Sequence, residues 1–390
     1  MRRRFDDTTQ VFVEEITQFI GDHWPRHGSE VAPLQLENWH HALVERGWSV
    51  PDWPRDAGGT DWSPTQKYLW QQVCNDHGVS DSFGENPGTT IVGPIILRAA
   101  LGCVGERWLQ GIRTLQDRWC IGYAEPHCGT AVVAMTTTAT PCPEGYRVHG
   151  VKVWVADAVG ADWICLLARA PATADNMFAL YAVALDSPGV TVTSATTFDG
   201  SACMAQVQLD GVLVPVEHQL VEPREGQQFG QIFQASVLHS ISQAAIAQAQ
   251  LAQLDAHLHS LAQDDPIYTK RHSVAVELAA LESLELRYLD ALERKIQEPF
   301  PINVLRVKSR AILLQLGALQ MECFGYYALP YPDEVLLHNE GPIGPKGAVT
   351  AMRTALAQQV AQQYEGSVEA IKDTIAGDLD IDTGSATTNR

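Results

Sequence analysis

The spacing of apolar residues divides the chain into a helical, a β and a second helical stretch. Up to residue 118, apolar side chains recur mostly at intervals of three or four, as on one face of a helix. This spacing predicts helices over 7–24, 38–47, 65–76 and 94–115. Two prolines and two adjacent glycines between Pro51 and Gly59 predict a loop within this helical stretch.

From residue 119 to 222 the pattern changes to the alternation of β-strands. It predicts strands at Tyr146–Val155, Trp163–Arg169, Phe178–Leu185, Val190–Val192 and Gln206–Leu209. Glycine and proline separate these strands at intervals of about 8–12 residues, which is typical of a sandwich or a small barrel. We therefore expect a β domain over 119–222.

Residues 223–378 return to helical spacing. Helices are predicted over 233–261, 271–296, 303–325 and 349–363, with a last one ending near residue 376. The tail, 379–390, is rich in small polar residues and is predicted to be disordered. The predicted architecture is an α+β multidomain protein: an N-terminal helical domain (1–118), a middle β domain (119–222) and a C-terminal four-helix bundle (223–378).

Composition narrows the range of partners. The chain has 27 Lys+Arg against 46 Asp+Glu, a formal net charge of -19, which argues against nucleic acid or an anionic membrane as the partner. No apolar run reaches the roughly 20 residues of a membrane span, and no signal-peptide core is present, so we expect a cytoplasmic protein. The eight cysteines lack CxxC spacing and the 13 histidines are scattered, so we expect no metal site and no disulfide framework.

Several short motifs in a fixed order resemble those of one enzyme family. They are Trp53-Pro54 with Gly58-Gly59, Val92-Gly93-Pro94, the stretch from Tyr123 to Thr130, Gly150-Val151-Lys152-Val153-Trp154-Val155, Ala161 to Ile164, and Tyr364-Glu365-Gly366-Ser367-Val368-Glu369. Together they resemble the acyl-CoA dehydrogenases, flavoenzymes that oxidise an acyl-CoA at its α and β carbons. The resemblance covers nearly the whole chain and implies the same three-domain fold with FAD as the cofactor.

The resemblance implies that Glu365 is the base that removes the α-proton of the thioester. Such a base must be desolvated, and the thioester carbonyl must be held by preorganised donors. The residues alone leave an alternative, a carboxylate favoured at a helix start by the helix dipole. Some relatives carry the base on the helix that corresponds to 233–261, where the only acid is Asp255. Gly366 and Thr130 are implied to contact the substrate.

The flavin contacts implied by the resemblance lie in the stretch from Tyr123 to Thr130, on the predicted strand around Trp154, and in the last motif. They are Tyr123, Ala124, Glu125, Thr130, Trp154, Ala156, Ser367 and Glu369. Trp154 is the implied flavin-facing aromatic, and the alternative is a core tryptophan of the β domain. Ser367 and Glu369 are implied to lie near the ribityl and diphosphate groups, at a helix start suited to phosphate.

Departures from the family pattern cluster on these flavin contacts. Ala124 and Ala156 stand where the family usually has threonine. The usual Arg-x-x-Phe-Gly loop is replaced by residues 264–271, and the usual Gly-Gly after glutamine by Cys323 and Phe324, whose side chains hinder close approach of a phosphate. Divergent members that act on steroid side chains or other bulky CoA esters look like this, and some of them share each flavin between two different subunits.

Three functional hypotheses follow. The first is FAD-dependent dehydrogenation of an acyl-CoA to a trans-2-enoyl-CoA, with an electron-transfer flavoprotein as acceptor, in a homo-oligomer or a heterotetramer with a related subunit. The second is a subunit of a heteromeric dehydrogenase that shares or has partly lost the flavin site and is not active alone. The third is a related enzyme acting on a carrier-protein thioester. The net charge of -19 disfavours docking of an acidic carrier.

Overall fold

The structure is a computed structural model, and it describes residues 7–24, 33–79, 86–127, 134–170, 177–200, 203–225, 243–258, 265–296, 302–329, 344–345, 347–361 and 368–379. The chain forms two compact units, one from residues 1–62 and 79–236 and the other from 63–78 and 237–390. The three domain boundaries inferred from the sequence stay a prediction. The predicted disordered tail lies outside the described residues from 380 onwards.

The first unit begins with helices. Their bounds are Asp7–His23 (α1), Pro33–Arg46 (α2), Gly93–Ala99 (α4) and Gly102–Arg113 (α5), with a turn of π-helix at Gly88–Val92. The single helix predicted over 94–115 is therefore wrong. The chain leaves the helix at Ala100, which has a left-handed φ of 50°, and Gly102 is left-handed too. Apolar spacing continues through this break, which is why the pattern conceals it.

Eight strands of the first unit form one mixed sheet. Their bounds are Trp119–Gly122 (β1), Thr138–Cys142 (β2), Gly145–Ala156 (β3), Trp163–Arg169 (β4), Met177–Ala184 (β5), Val190–Ala195 (β6), Met204–Val214 (β7) and Gln219–Glu225 (β8). The strand order is β6-β7-β3-β2-β4-β5-β8, and β1 pairs in parallel with β4. All five predicted strands are present. Strands β1, β2 and β8 were not predicted, because they are short or contain proline.

Strands β4 and β5 are buried on both faces. One face of β4, with Ile164 and Leu166, belongs to a core inside the β domain, whereas the other, with Cys165 and Leu167, packs toward the cluster that contains Trp108 of α5. Such double burial gives a continuous apolar run rather than alternation. The sheet core thus supports β3, which pairs with β7 and carries Trp154.

The second unit is helical and includes a helix from the N-terminal part of the chain, Pro64–Asp76 (α3). The others are Gln243–Leu258 (α6), Ile267–Glu293 (α7), Asn303–Phe324 (α8), Ala348–Ala361 (α9) and Val368–Asp378 (α10). Helix α8 contacts α6, α7, α9 and α10 around a core rich in leucine, so the predicted helical bundle is confirmed. Among the described residues no helix is both long and apolar enough to cross a bilayer.

Candidate functional site

The structure describes five of the residues that the sequence assigned to the flavin: Tyr123, Ala124, Glu125, Trp154 and Ala156. All five lie in the first unit, on the segment after β1 and on β3. Thr130, Glu365, Gly366 and Ser367 lie outside the described residues. Glu369 falls in α10, where the structure gives its backbone only. The implied roles of these residues stay predictions.

A β-bulge on β3 sets the position of Trp154. Lys152 pairs with Val207 of β7 and Val155 pairs with Ala205, so two residues of β3 oppose one of β7. Trp154 lies in this bulge with a left-handed φ of 55°. For a bulky residue, such a conformation costs on the order of 1–3 kcal/mol and persists only where the surrounding structure fixes it.

The bulge turns the indole of Trp154 outward. Its side chain is 61% exposed, whereas Lys152 and Val155 on either side of the bulge are fully buried. The alternative that Trp154 is a core tryptophan is therefore wrong. Ala156, two residues further on, is half-buried and pairs with Met204.

The bulge also joins β3 to the segment after β1. The amide of Val153 donates to the carbonyl of Ala124 over 3.0 Å. This hydrogen bond places Ala124 beside Val153, the residue that precedes Trp154, although Ala124 and Trp154 lie thirty positions apart in sequence. The structure thus brings together Tyr123, Ala124, Trp154 and Ala156 in one region of the first unit.

Behind this contact lies a buried ion pair between Glu125 and Lys152. The ammonium of Lys152 donates to Oε1 of Glu125 over 2.8 Å and to the carbonyl of Tyr123 over 3.1 Å. The carboxylate also accepts from the amides of Thr136 and Thr137 and from the Thr136 hydroxyl, at 2.6, 3.0 and 2.9 Å. Both side chains are at least 97% enclosed. Both charged groups therefore have hydrogen-bond partners inside the protein, and neither is available at its surface.

The environment keeps Glu125 ionised. Burial alone would raise the pKa of this carboxyl, but the Lys152 ammonium and the donors from Thr136 and Thr137 outweigh burial and lower its pKa to about 2. Both oxygens are engaged in these contacts, so a contact from Glu125 to a ligand would come from its backbone. Lys152 was predicted only as part of a motif, and its role was missed. The available signal was a single lysine in the otherwise apolar stretch 150–156.

Two residues of the second unit that the sequence singles out, Phe324 and Asp255, have partners within that unit. Phe324 is buried against Ala328, Ala348 and Ala351, and its ring meets that of His257 edge to face at 4.8 Å. Asp255 is bound through both oxygens to Arg271 at 2.8 and 2.5 Å. The only acid of the predicted helix 233–261 is thus engaged in an ion pair.

A surface cavity of about 700 Å³ in the first unit is separate from these residues. Its lining includes Trp163, Val159 and the charged residues Arg107, Asp117 and Asp162. None of the five described flavin-assigned residues lines it. Within the described ranges, His, Cys, Asp and Glu form no group of three or more that could hold a metal ion.

Comparison with known proteins agrees with this arrangement. Residues 120–212, which include the bulge and the ion pair, match the family described as acyl-CoA dehydrogenase, middle domain. The acyl-CoA dehydrogenase IpdE1 of Mycobacterium tuberculosis is 25% identical over 305 residues, which cover 76% of this chain and 77% of that protein. The chain is related to the acyl-CoA dehydrogenases.

Two solved structures share the fold of this chain. The Tcur3481-Tcur3483 steroid ACAD superposes with a TM-score of 0.78 at 18% identity, over 98% of this chain and 100% of that one. The ChsE4-ChsE5 complex from Mycobacterium tuberculosis superposes with a TM-score of 0.76 at 18% identity, over 96% of this chain and 97% of that one. The predicted fold class, an acyl-CoA dehydrogenase-like arrangement of helical and β domains, is confirmed.

Proposed function

We propose that this chain is a FAD-dependent acyl-CoA dehydrogenase that converts an acyl-CoA to the trans-2-enoyl-CoA, with Glu365 as the base. The observation that carries the proposal is the bulge at Trp154. An exposed indole is held in a strained conformation, next to Ala124, within the region that matches the acyl-CoA dehydrogenase middle domain. Strained residues that the surrounding structure maintains tend to lie at functional sites.

The residues around the bulge fit the ring system of a flavin. A planar aromatic ring packs well on another aromatic face. Trp154 offers such a face with small side chains nearby, Ala124 and Ala156, while the charges of Glu125 and Lys152 point inward. Bound FAD would supply the acceptor for the hydride that leaves carbon β. Trp154, Ala124 and Ala156 would hold the ring, with Tyr123 and the backbone of Glu125 beside them.

Proton removal would fall to Glu365. The carboxylate would take the α-proton while backbone N–H groups hold the thioester carbonyl and stabilise the negative charge that develops on its oxygen. Thr130 and Gly366 are the proposed substrate contacts, and Ser367 and Glu369 the proposed contacts to the ribityl and diphosphate groups. Electrons would pass to an electron-transfer flavoprotein. Asp255 is a poor alternative base, because Arg271 binds both of its oxygens.

The substrate class we propose is a bulky acyl-CoA such as a steroid side chain. Its support is the similarity of this chain to the Tcur3481-Tcur3483 protein, which is named a steroid ACAD. We also propose an oligomer, formed either with copies of the chain or with a related subunit. Its support is that both Tcur3481-Tcur3483 and the ChsE4-ChsE5 complex are named as pairs of proteins.

One observation favours a second candidate function, a subunit that shares its flavin with another chain. Phe324 stands where the family has glycine, and its buried ring packs on Ala348, Ala351 and His257. A phosphate approaching the backbone there would meet a side chain that is fixed in place. The diphosphate part of FAD would then need donors from a partner.

The colour of the purified chain tests the proposal. We expect protein expressed alone to carry a flavin absorbance band, and Trp154→Ala to reduce the bound flavin by about tenfold or more, since the ring loses its stacking face. Trp108→Phe, a change in the buried aromatic core, is the matched control and should retain the flavin. Colourless wild-type protein that becomes yellow only with a related subunit would favour the second candidate. If it stays colourless with that subunit as well, the proposed function is wrong.

A further inference from the structure

We propose that the buried Glu125–Lys152 ion pair positions the surface that faces the flavin, by fixing Ala124 and Trp154 relative to one another. The inference rests on the proposed function, because it assigns the flavin ring to this surface. Neither charged group lies on that surface, since both side chains are almost wholly enclosed. The two residues would therefore act through the backbone that they hold.

The ion pair connects three segments of chain. Glu125 follows β1, Lys152 is part of β3, and Thr136 and Thr137 lie just before β2. The carboxylate accepts from both threonine amides and from the ammonium, and the ammonium also donates to Tyr123. A single buried cluster thus sets the positions of all three segments. Because both charged side chains are almost wholly enclosed, a shift of any of these segments would remove hydrogen bonds from a buried charge that water cannot replace.

The ion pair flanks the hydrogen bond between Val153 and Ala124, which lies next to the strained residue Trp154. Lys152 immediately precedes the bulge, and Glu125 immediately follows Ala124. Between them, the amide of Val153 donates to the carbonyl of Ala124. Trp154, next in the chain, has the left-handed φ that only a well-fixed surrounding structure maintains. One member of the ion pair is thus adjacent in the chain to the donor of this hydrogen bond and the other to its acceptor. By holding both, the ion pair determines where the indole points.

Two variants test the proposal without relying on turnover. Glu125→Asp keeps the charge but withdraws the carboxylate from Lys152. The double variant Glu125→Gln/Lys152→Met removes both charges at similar volume, which avoids a lone buried charge. Lys308→Met is the matched control, because it removes a lysine from a partly exposed ion pair with Glu277 in the helical unit. Hydrogen exchange of the peptide containing Val153 and the dissociation constant of FAD are measured for each protein.

We expect exchange at Val153 to accelerate by about tenfold or more in both variants, with β4 and β5 unchanged, and FAD binding to weaken by a similar factor. The control should match wild type in both. A merely structural role would accelerate exchange across the whole sheet instead, and that result overturns the proposal. So does wild-type FAD affinity in a folded variant. If wild-type protein binds no FAD even with a related subunit, the proposed function fails separately, and unchanged exchange at Val153 would still overturn the positioning role.

Discussion

Glu285 is a carboxylic acid inside the helical unit. It lies on α7 with no exposed surface, and its Oε1 accepts from the amide of Ala244 at the start of α6 over 2.9 Å. Among the described residues its Oε2 has no hydrogen-bond partner. Burial outweighs the backbone amides and raises the pKa of Glu285 to about 9, and the nearby charge of Glu282 adds to this. At neutral pH the group is therefore protonated.

This pKa predicts how the stability of the helical unit changes with pH. Below about 4.5, the usual pKa of a glutamate, Glu285 is protonated in both the folded and the unfolded chain. Between 4.5 and 9 only the folded chain keeps the proton, so this group lowers the free energy of unfolding as pH rises, by at most about 1.4 kcal/mol per pH unit. Glu285→Gln stays neutral and accepts from the same amide. We expect it to melt higher than wild type at about pH 8.5 and to match it near pH 4.5.

Thermal melts of both proteins across this pH range provide the check. Glu282→Gln is the matched control on the same helix and should change the pH dependence far less, because its side chain is only partly buried. An equal pH slope in Glu285→Gln and wild type would contradict the assignment of a neutral buried acid.

For single residues, the sequence identified several that contribute to the candidate site, but it did not give their backbone conformation or their partners. Trp154 was predicted from its motif as an aromatic facing a ligand, and the structure leaves it exposed. Its left-handed backbone was not predictable, because it follows from the register of β3 against β7, a long-range property. Likewise, the charge of Lys152 was visible in the sequence, but its partner Glu125 lies 27 residues away and only the fold brings them together.

At the scale of elements, the loop between Pro51 and Gly59 packs on the π-helical turn at Gly88–Val92. Trp53 is buried, and its indole N–H donates to the carbonyl of Thr89 over 2.8 Å. Its six-membered ring lies against Gly93 so closely that a β-carbon there would overlap it. The glycine is thus needed for space rather than for its backbone freedom, since it has a helical φ of -56°.

We therefore expect Gly93→Ala to lower the free energy of unfolding of the first unit by about 1–3 kcal/mol, the usual range for overpacking. The double variant Gly93→Ala/Trp53→Phe removes the overlapping ring atoms and should be more stable than the sum of the two single changes. Gly21→Ala on α1 is the control: nothing lies within 4 Å of its added carbon, so it should stabilise by up to about 1 kcal/mol. Denaturant unfolding is measured for wild type and for the four variants, including Trp53→Phe alone, and additive effects in the double variant would contradict the overlap of Trp53 with a β-carbon at position 93.

A strand or helix was predictable from the sequence where its own residues give a clear pattern of apolar positions. Strand β4 was predicted with its observed ends, Trp163 to Arg169, because burial on both faces makes it a continuous apolar run. Strand β8 was missed because it lies at the end of the sheet order and contains Glu222, Pro223 and Arg224, which an edge strand tolerates. The break between α4 and α5 was missed because the left-handed turn at Ala100 is not marked by a proline or by a glycine at that position.

At the scale of the whole molecule, the order of helical, β and helical stretches carried most of the fold assignment. The pattern predicted both helical regions and a β domain between them. It did not reveal that α3, from the N-terminal stretch, belongs to the helical unit. A capping box between Ser63 and Gln66 marks its start, and the Thr65 amide donates to Glu293 of α7. Such a tertiary assignment depends on partners more than two hundred residues away in the sequence.

Anaerobic mixing of the flavin-loaded protein with a steroid side-chain acyl-CoA tests the proposed dehydrogenation with Glu365 as the base. We expect the flavin absorbance of wild-type protein to bleach and Glu365→Gln to stay yellow and unbleached, because the α-proton has no acceptor. Asp255→Asn, which removes the only acid of the predicted helix 233–261, should still bleach. Bleaching of Glu365→Gln at a near wild-type rate would exclude Glu365 as the base.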